Sequence, residues 1–379
     1  MKLIHLSDLH IGKRVNEYSM LDDQKYILLQ ILNIIDNEKP DGVIIAGDVY
    51  DKSVPSAEAV EVFDDFLTKL AKRKVKTFVI SGNHDSPERL SFGSRLMEHS
   101  GIYISKVYDG KVEPISISDA YGEMNVYLLP FIKPLHVRLY YPEAEINTYN
   151  DALRVAVENM NVDMSKRNVL VTHQFITNSK TSDSEEISVG GTDNVDASVF
   201  DCFDYVALGH IHGPQNCGSE KIRYCGTPLK YSFSEVNHKK SVTVVEINEK
   251  ESLDIRTVEL VPLRDMYEIR GKFEEIMQKS FYENTPYQES YMRIILTDED
   301  DIPNALGTLR TVYHKLMKLE YDNTRTRTNN VISAAENVEN KSEFELFAEF
   351  FEKQNGQVMS DEQSKFIKSL IEEIKEASK

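Results

Sequence analysis

Over residues 1–260, short apolar runs alternate with stretches whose apolar residues recur at helical spacing. The runs Lys2–Leu6, Gly42–Ala46, Val75–Ser81, Val126–Pro130, Asn168–Thr172 and Tyr205–Gly209 are rich in Val, Ile and Leu, as strands covered on both faces should be. Between them, Tyr26–Ile35 places Ile27, Ile31, Ile34 and Ile35 on one helical face, and Ser56–Leu70 does the same with Ala59, Phe63, Phe66, Leu67 and Leu70. Ser56, after Pro55, is a plausible N-cap. This rhythm predicts an α/β fold, a layered core of β-sheets flanked by helices.

The pattern changes near Val261-Pro262-Leu263. Strand-like Tyr267–Arg270, helical Phe273–Phe281, strand-like Tyr291–Leu296, helical Asn304–Met317 and strand-like Leu319–Tyr321 read as a small α+β unit. Asn323–Asn330 is polar and aperiodic, a linker by composition. Two amphipathic helices follow, one opened by a Ser342/Glu345 capping box and the other by Ser360/Gln363. The expected domains are therefore 1–262, 263–330 and a helical tail at 335–379. No internal repeat is present.

A length of 379 residues fits two or three such domains. The net charge is −18, from 62 acidic and 44 basic residues, which opposes nonspecific attraction to polyanions. If the protein handles nucleic acid, cations, a basic patch or a partner must overcome that field locally. Three cysteines, Cys202, Cys217 and Cys225, form no CxxC pair, which argues for a reducing compartment and against structural zinc. Cys217 and Cys225 read as ordinary thiols. No stretch approaches the roughly 20 apolar residues of a spanning helix, and Met1–His5 turns polar too early for a leader. A soluble, cytoplasmic protein without membrane contact is expected.

Five polar motifs each follow a predicted strand: Asp8-Leu9-His10, Gly47-Asp48, Gly82-Asn83-His84-Asp85, His173, and Gly209-His210-Ile211-His212. Open α/β sheets build their sites from loops at strand carboxyl ends, so the five should converge. Asp8, Asp48 and Asn83 offer oxygens; His10, His173, His210 and His212 offer imidazole nitrogens. Extended backbone would point both members of Asp8-x-His10, and of His210-x-His212, the same way. Seven donors exceed the needs of one ion but suit two that share a bridging carboxylate. Two metals about 3.5–4 Å apart can clamp a phosphoryl group and supply hydroxide near neutral pH. The neighbouring glycines allow tight turns and close backbone approach. His84 adjoins a donor, where an imidazole can contact the phosphate or protonate the leaving oxygen, with Asp85, or more distantly Asp51, to orient it.

Taken in order, D-x-H, G-D, G-N-H-D, H and G-H-x-H resemble the calcineurin-like metallophosphoesterases. Within them the chain is similar to the SbcD family of bacterial nuclease subunits. That narrower likeness rests on His5-Leu6-Ser7-Asp8-Leu9-His10-Ile11-Gly12, Gly47-Asp48-Val49-Tyr50-Asp51, and Cys225-Gly226-Thr227-Pro228 followed by Tyr231-Ser232-Phe233-Ser234-Glu235. The resemblance implies two Mn²⁺ ions, with Fe²⁺ as an alternative. Asp8, His10, Asp48 and His212 would hold one and Asp48, Asn83, His173 and His210 the other, with Asp48 bridging and His84 catalytic. It also implies exonuclease action on double-stranded DNA, endonuclease action on hairpins, a homodimer, and an SbcC-type ATPase partner gripped by the tail helices in a heterotetramer. The chain itself carries no GxxxxGK[ST] loop for ATP. Two departures stand out: Tyr224-Cys225-Gly226-Thr227 replaces a frequent Tyr-Pro-Gly-Ser, and Asp51 stands where some relatives carry histidine.

Blander readings stand beside these. Asp85 and Asp51 are also ordinary turn residues. Lys13, Arg14, Arg89 and Lys230, with Lys239 and Lys240, are candidate phosphate contacts, although isolated surface cations are usually only solvated. The same centre would serve a phosphodiesterase or phosphatase acting on a small nucleotide, for which the extra domain and tail would be superfluous. A catalytically silent scaffold would be expected to have lost some of the donors.

Overall fold

The computed structural model describes residues 1–185, 193–324 and 326, with scattered positions beyond (344, 347–348, 351, 359–360, 363–367 and 370). Two six-stranded sheets form a layered α/β core. Across the first, the order is Leu253–Glu259, Ser241–Ile247, Lys2–Leu6, Gly42–Ala46, Lys76–Ile80 and Ile102–Ile104. Lys2–Leu6 and the three strands after it run parallel, and Ser241–Ile247 joins antiparallel. Across the second, the order is Gln215–Cys217, Ser219–Tyr224, Tyr205–Gly209, Arg167–His173, Gly122–Leu128 and Ile115–Asp119.

The sheets face one another. Leu3, Ile44, Phe78 and Val245 of the first share a buried cluster with Val126, Val169, Val171 and Ala207 of the second. Their outer faces carry helices. Ile27, Ile31, Phe63 and Phe66 pack with Ile4, Val43 and Val79 on one side, and Leu153 and Val157 pack with Leu170 and Val206 on the other. Central strands are thus covered twice, which is why Gly42–Ala46 is buried at all five positions. Helix Ala57–Lys72 begins where expected, with Ser56 Oγ accepting from the Ala59 amide at 3.3 Å.

The helix expected at Tyr26–Ile35 runs from Leu21 to Glu38. Its first turn is hidden in the sequence because Asp23 and Gln24, both polar, lie on the buried face. Asp23 accepts from the Tyr291 hydroxyl at 2.7 Å and Arg264 at 2.8 Å.

The later region departs further. Met266–Gly271, Tyr291–Leu296 and Leu316–Tyr321 form a three-stranded sheet. The helix expected over Asn304–Met317 covers only Ala305–Arg310. Leu309, Val312, Tyr313 and Leu316 sit at helical spacing, but Leu316 opens a strand. Phe273–Phe281 is two separate turns, Phe273–Ile276 and Lys279–Tyr282. The chain divides into two compact units, Met1–Ile269 with Met277–Ile294 and Leu306–Leu319, and Arg270–Ile276 with Ile295–Ala305 and Glu320–Lys379.

In the tail, the expected Ser360/Gln363 capping box is present. Gln363 N–H donates to Ser360 Oγ at 3.2 Å, and the Ser360 amide donates to Gln363 Oε1 at 2.9 Å. The Ser342/Glu345 box and most of 335–379 lie outside the described residues.

Candidate metal centre

Strands Lys2–Leu6, Gly42–Ala46 and Lys76–Ile80 of one sheet, and Arg167–His173 and Tyr205–Gly209 of the other, release their carboxyl ends at the same rim. The first two loops run side by side. The amides of Asp8, His10 and Ile11 donate to the carbonyls of Gly47, Asp48 and Val49 at 2.9–3.0 Å. Asp8, His10 and Asp48 have φ of 52°, 44° and 46°, and His210 has 105°. The extended backbone expected of Asp8-x-His10 is therefore absent. Left-handed turns aim these side chains, a conformation costing non-glycine residues about 1–3 kcal/mol each unless the surroundings enforce it. The paired loops supply that enforcement, together with Gln24, whose side-chain amide donates to the His10 carbonyl at 2.7 Å and whose oxygen accepts from Gly12 N–H at 2.9 Å. Sequence reasoning missed Gln24, and its only signal was a polar residue on an apolar helix face. Glycine is required at Gly47, Gly82 and Gly209, where a Cβ would overlap the His173 ring, the Asp48 carboxylate and the Ala46 carbonyl respectively.

All seven expected donors meet here. His210 N–H donates to both oxygens of Asp8, at 3.0 and 3.2 Å. Asn83 Oδ1 lies 3.0 Å from both His173 Nε2 and His210 Nδ1. On the other side, His10 Nε2 and His212 Nε2 face each other at 3.2 Å. Asp48 lies between the two groups. His84 N–H binds its Oδ1 at 2.9 Å, and Oδ2 is 3.3 Å from His173 Nε2 and 3.7 Å from His10 Nε2.

Six of the seven are buried; Asn83 is half-buried. Burial holds the His10 imidazole well below its usual range. Burial and the neighbouring His173 push His210 down to about 3. Burial opposes charge on His173 too, but Asp48 and Asp8 outweigh it and raise that residue to about 9. Asp48 lies well below the usual carboxylate range because its imidazole neighbours, His173 foremost, outweigh burial. Burial pushes Asp8 up. A carboxylate held in its charged form among imidazoles, with His10 Nε2 and His212 Nε2 facing across 3.2 Å, is a donor set that divalent cations fit. Among the described residues, three compact triads, Asp8–His10–His212, Asp8–Asp48–His173 and His10–Asp48–His84, have ligand atoms within 4.8 Å of one another.

His84 is half-buried at the rim. Its Nδ1 lies 3.1 Å from the Asp51 carbonyl, and Nε2 is 3.9 Å from Asp48 Oδ2. Asp85 does not orient it. The Asp85 carboxylate accepts from the amides of Val49, Tyr50 and Gly82 at 2.9–3.0 Å, so it ties two loops together. Burial and Asp48 raise its pKa to about 6. The Asp51 carboxylate pairs with Lys13 at 2.7 Å, and its carbonyl meets His84. Arg14, Arg89 and Lys239 are exposed. Lys230 is not a free surface cation: its ammonium donates to the Val236 carbonyl at 2.7 Å and pairs with Asp265 at 2.8 Å. Lys240 is buried against Glu235. The sequence marks both lysines as candidate phosphate contacts because it gives no sign of their internal partners.

Comparison with known proteins agrees with this geometry. Residues 1–214 match the calcineurin-like phosphoesterase family, and residues 262–355 match the type 5 capsule protein repressor C-terminal domain. The SbcD subunit of the nuclease SbcCD from Staphylococcus epidermidis is 34% identical over 380 residues, covering 98% of each chain. The chain belongs to the SbcD family of calcineurin-like phosphoesterases. Two solved structures are more distant from this SbcD-family chain than that relative. A dimetal phosphatase from Danio rerio is 12% identical with a TM-score of 0.41, covering 69% of this chain and 98% of its own. A Thermus thermophilus protein is 10% identical with a TM-score of 0.36, covering 68% and 98%. Neither bears on the chemistry. Among the described residues, no helix is long and apolar enough to cross a membrane.

Proposed function

We propose that this chain is the nuclease subunit of an SbcCD-type complex, hydrolysing phosphodiester bonds in DNA with two Mn²⁺ ions. Asp8, His10, Asp48 and His212 would hold one ion and Asp48, Asn83, His173 and His210 the other, with Asp48 common to both sets. The observation that carries the reading is Asp48 Oδ2 within 3.3 and 3.7 Å of imidazole nitrogens from the two donor groups, in a chain related end to end to an SbcD subunit. When bound, such ions neutralise the scissile phosphate and acidify a water molecule. The remaining work falls to the chain. The His84 amide fixes Asp48 Oδ1 and so presents Oδ2 inward. The His84 ring, anchored through Nδ1 on the Asp51 carbonyl, turns Nε2 toward the centre and gives its proton to the departing sugar oxygen. Asp85 acts as a positioning residue through the backbone of the Asp48 and Asn83 loops.

Arg14 and Arg89 are the candidates for phosphate contact, because each is exposed and a cation near the duplex gains from counterion release. The acidic net charge is accommodated if the metals and an SbcC-type ATPase supply most of the attraction to DNA. Residues 263–330 would cap the site, residues 335–379 would bind that ATPase, and the complex would work in the cytoplasm.

The test is hydrolysis by the purified chain with Mn²⁺, comparing hairpin DNA with a cyclic nucleotide. Cleavage of the hairpin with little turnover of the cyclic nucleotide is expected. The reverse preference would replace the nuclease with a small-nucleotide phosphodiesterase.

A further inference from the structure

Several polar segments distant in sequence close on His212 from the side away from His10. Ser184 Oγ lies 2.6 Å from His212 Nδ1 and 2.6 Å from Glu235 Oε1. Glu235 is fully buried. Its Oε1 also accepts from the Tyr231 amide at 3.3 Å and the Ser232 hydroxyl at 3.1 Å, and its Oε2 meets the Lys240 ammonium at 2.5 Å. Lys240 in turn donates to the His212 carbonyl at 2.9 Å and to Thr227 Oγ1 at 2.7 Å. Glu185 Oε1 accepts from the His212 amide at 2.8 Å.

Counting hydrogens fixes the direction of each bond. A carboxylate facing an ammonium, an amide and a hydroxyl accepts at every contact. Ser184 Oγ also lies 2.9 Å from Ser182 Oγ, whose own hydrogen goes to Glu185 Oε2 at 2.7 Å; the single hydroxyl hydrogen of Ser184 therefore points to Glu235, a carboxylate that can only accept. Its oxygen is left to accept from His212, so that imidazole carries its proton on Nδ1. The Nε2 lone pair is then bare, and it is the atom facing His10 Nε2 at 3.2 Å.

We propose that Ser184, held by Glu235 and Lys240, is the positioning residue that fixes the tautomer and ring angle of His212 as a metal ligand. This rests on the reading of His212 as a ligand given above. Ligating histidines ordinarily pass their second N–H to a carboxylate, a carbonyl or water. Here a carboxylate acts through an intervening hydroxyl. The Tyr231–Glu235 segment, known from sequence only as a mark of resemblance, thereby gains a physical task, as does Lys240.

The test is calorimetric titration of Mn²⁺ into the metal-free full chain, comparing wild type with Ser184→Ala, Ser184→Thr and His212→Ala. Ser184→Ala should weaken one of two sites about 10–100-fold, leaving the other and the metal-free melting temperature unchanged. Ser184→Thr, which keeps the hydroxyl, should restore the site to within a few-fold. A wild-type isotherm for Ser184→Ala, while His212→Ala loses a site, would overturn the clamp and leave the ligand reading intact. An unchanged isotherm for His212→Ala would overturn the ligand reading itself. Equal weakening of both sites by Ser184→Ala, or no rescue by threonine in a normally melting protein, would also overturn the clamp.

Discussion

The two halves of the centre are anchored by different means. On the Asn83 side, His173 Nδ1 bonds the main-chain carbonyl of Ala46 at 2.8 Å, so adjoining strand ends set its ring. On the His10 side, His212 depends on the side chains of Ser184, Glu235 and Lys240. A main-chain anchor survives substitution of the residue that bears it, whereas a side-chain relay does not. Asp48 belongs to both halves, and a backbone amide holds the oxygen that faces away from them. One centre thus combines a half that is hard to detune with a half that single changes can tune.

Substitutions graded by reach sharpen this contrast. Asp48→Asn touches both halves and should have the largest effect. Removing the bridging charge should weaken both Mn²⁺ sites and cut hydrolysis by more than the roughly 10–100-fold typical of losing a ligand's partner. Titration and hairpin cleavage measure the two losses, and two intact sites with full activity would remove the bridge. His84→Gln should lower cleavage about 10²–10⁴-fold, the usual range for a general acid, with both metal sites retained. Loss of a site would instead make this residue a ligand.

The halves should also differ in pH response. In the metal-free protein His173 is raised to about 9 from 6.5. Between those values the folded state holds a proton that the unfolded state has released. Stability present below about pH 6.5 should therefore fall, by something of order 3 kcal/mol, as pH rises toward 9. Over the same window Mn²⁺ affinity should rise, because a ligating imidazole must give up its proton. Thermal melts with and without Mn²⁺ across pH 6–9 check this, and His173→Ala should flatten the metal-free profile. A flat wild-type profile would contradict it. The smallest effect belongs to Ala46→Gly, which keeps the carbonyl that anchors His173. It should cost about 0.5–1 kcal/mol of stability and shift Mn²⁺ affinity less than two-fold by titration. A larger shift would mean that the strand carbonyl is not the anchor.

How far the sequence could be read follows from the physics of each part. The strands leading into the site were visible because double burial makes them continuous apolar runs, and all seven donors lay in short motifs at their ends. The backbone that aims those donors was not visible. Nothing in Asp8-Leu9-His10 announces two left-handed residues, since the loop after Gly47 enforces them across the sheet. Gln24 and Asp23 were hidden inside an apolar helix face, where their polarity shortened the apparent helix. Lys230 and Lys240 read as surface cations because Asp265 and Glu235 become their partners only on folding. In the later region, Leu309, Val312, Tyr313 and Leu316 mimic a helical stripe, and only pairing with Tyr291–Leu296 makes the last of them begin a strand.

The central claim is that Asp48 joins two cations. An anomalous-scattering map from crystals soaked in Mn²⁺ tests it most directly. Two peaks about 3.5–4 Å apart, one beside His10 and His212 and one beside His173, His210 and Asn83, with Asp48 touching both, are expected. A single peak, or a pair in which Asp48 contacts only one ion, would contradict the account.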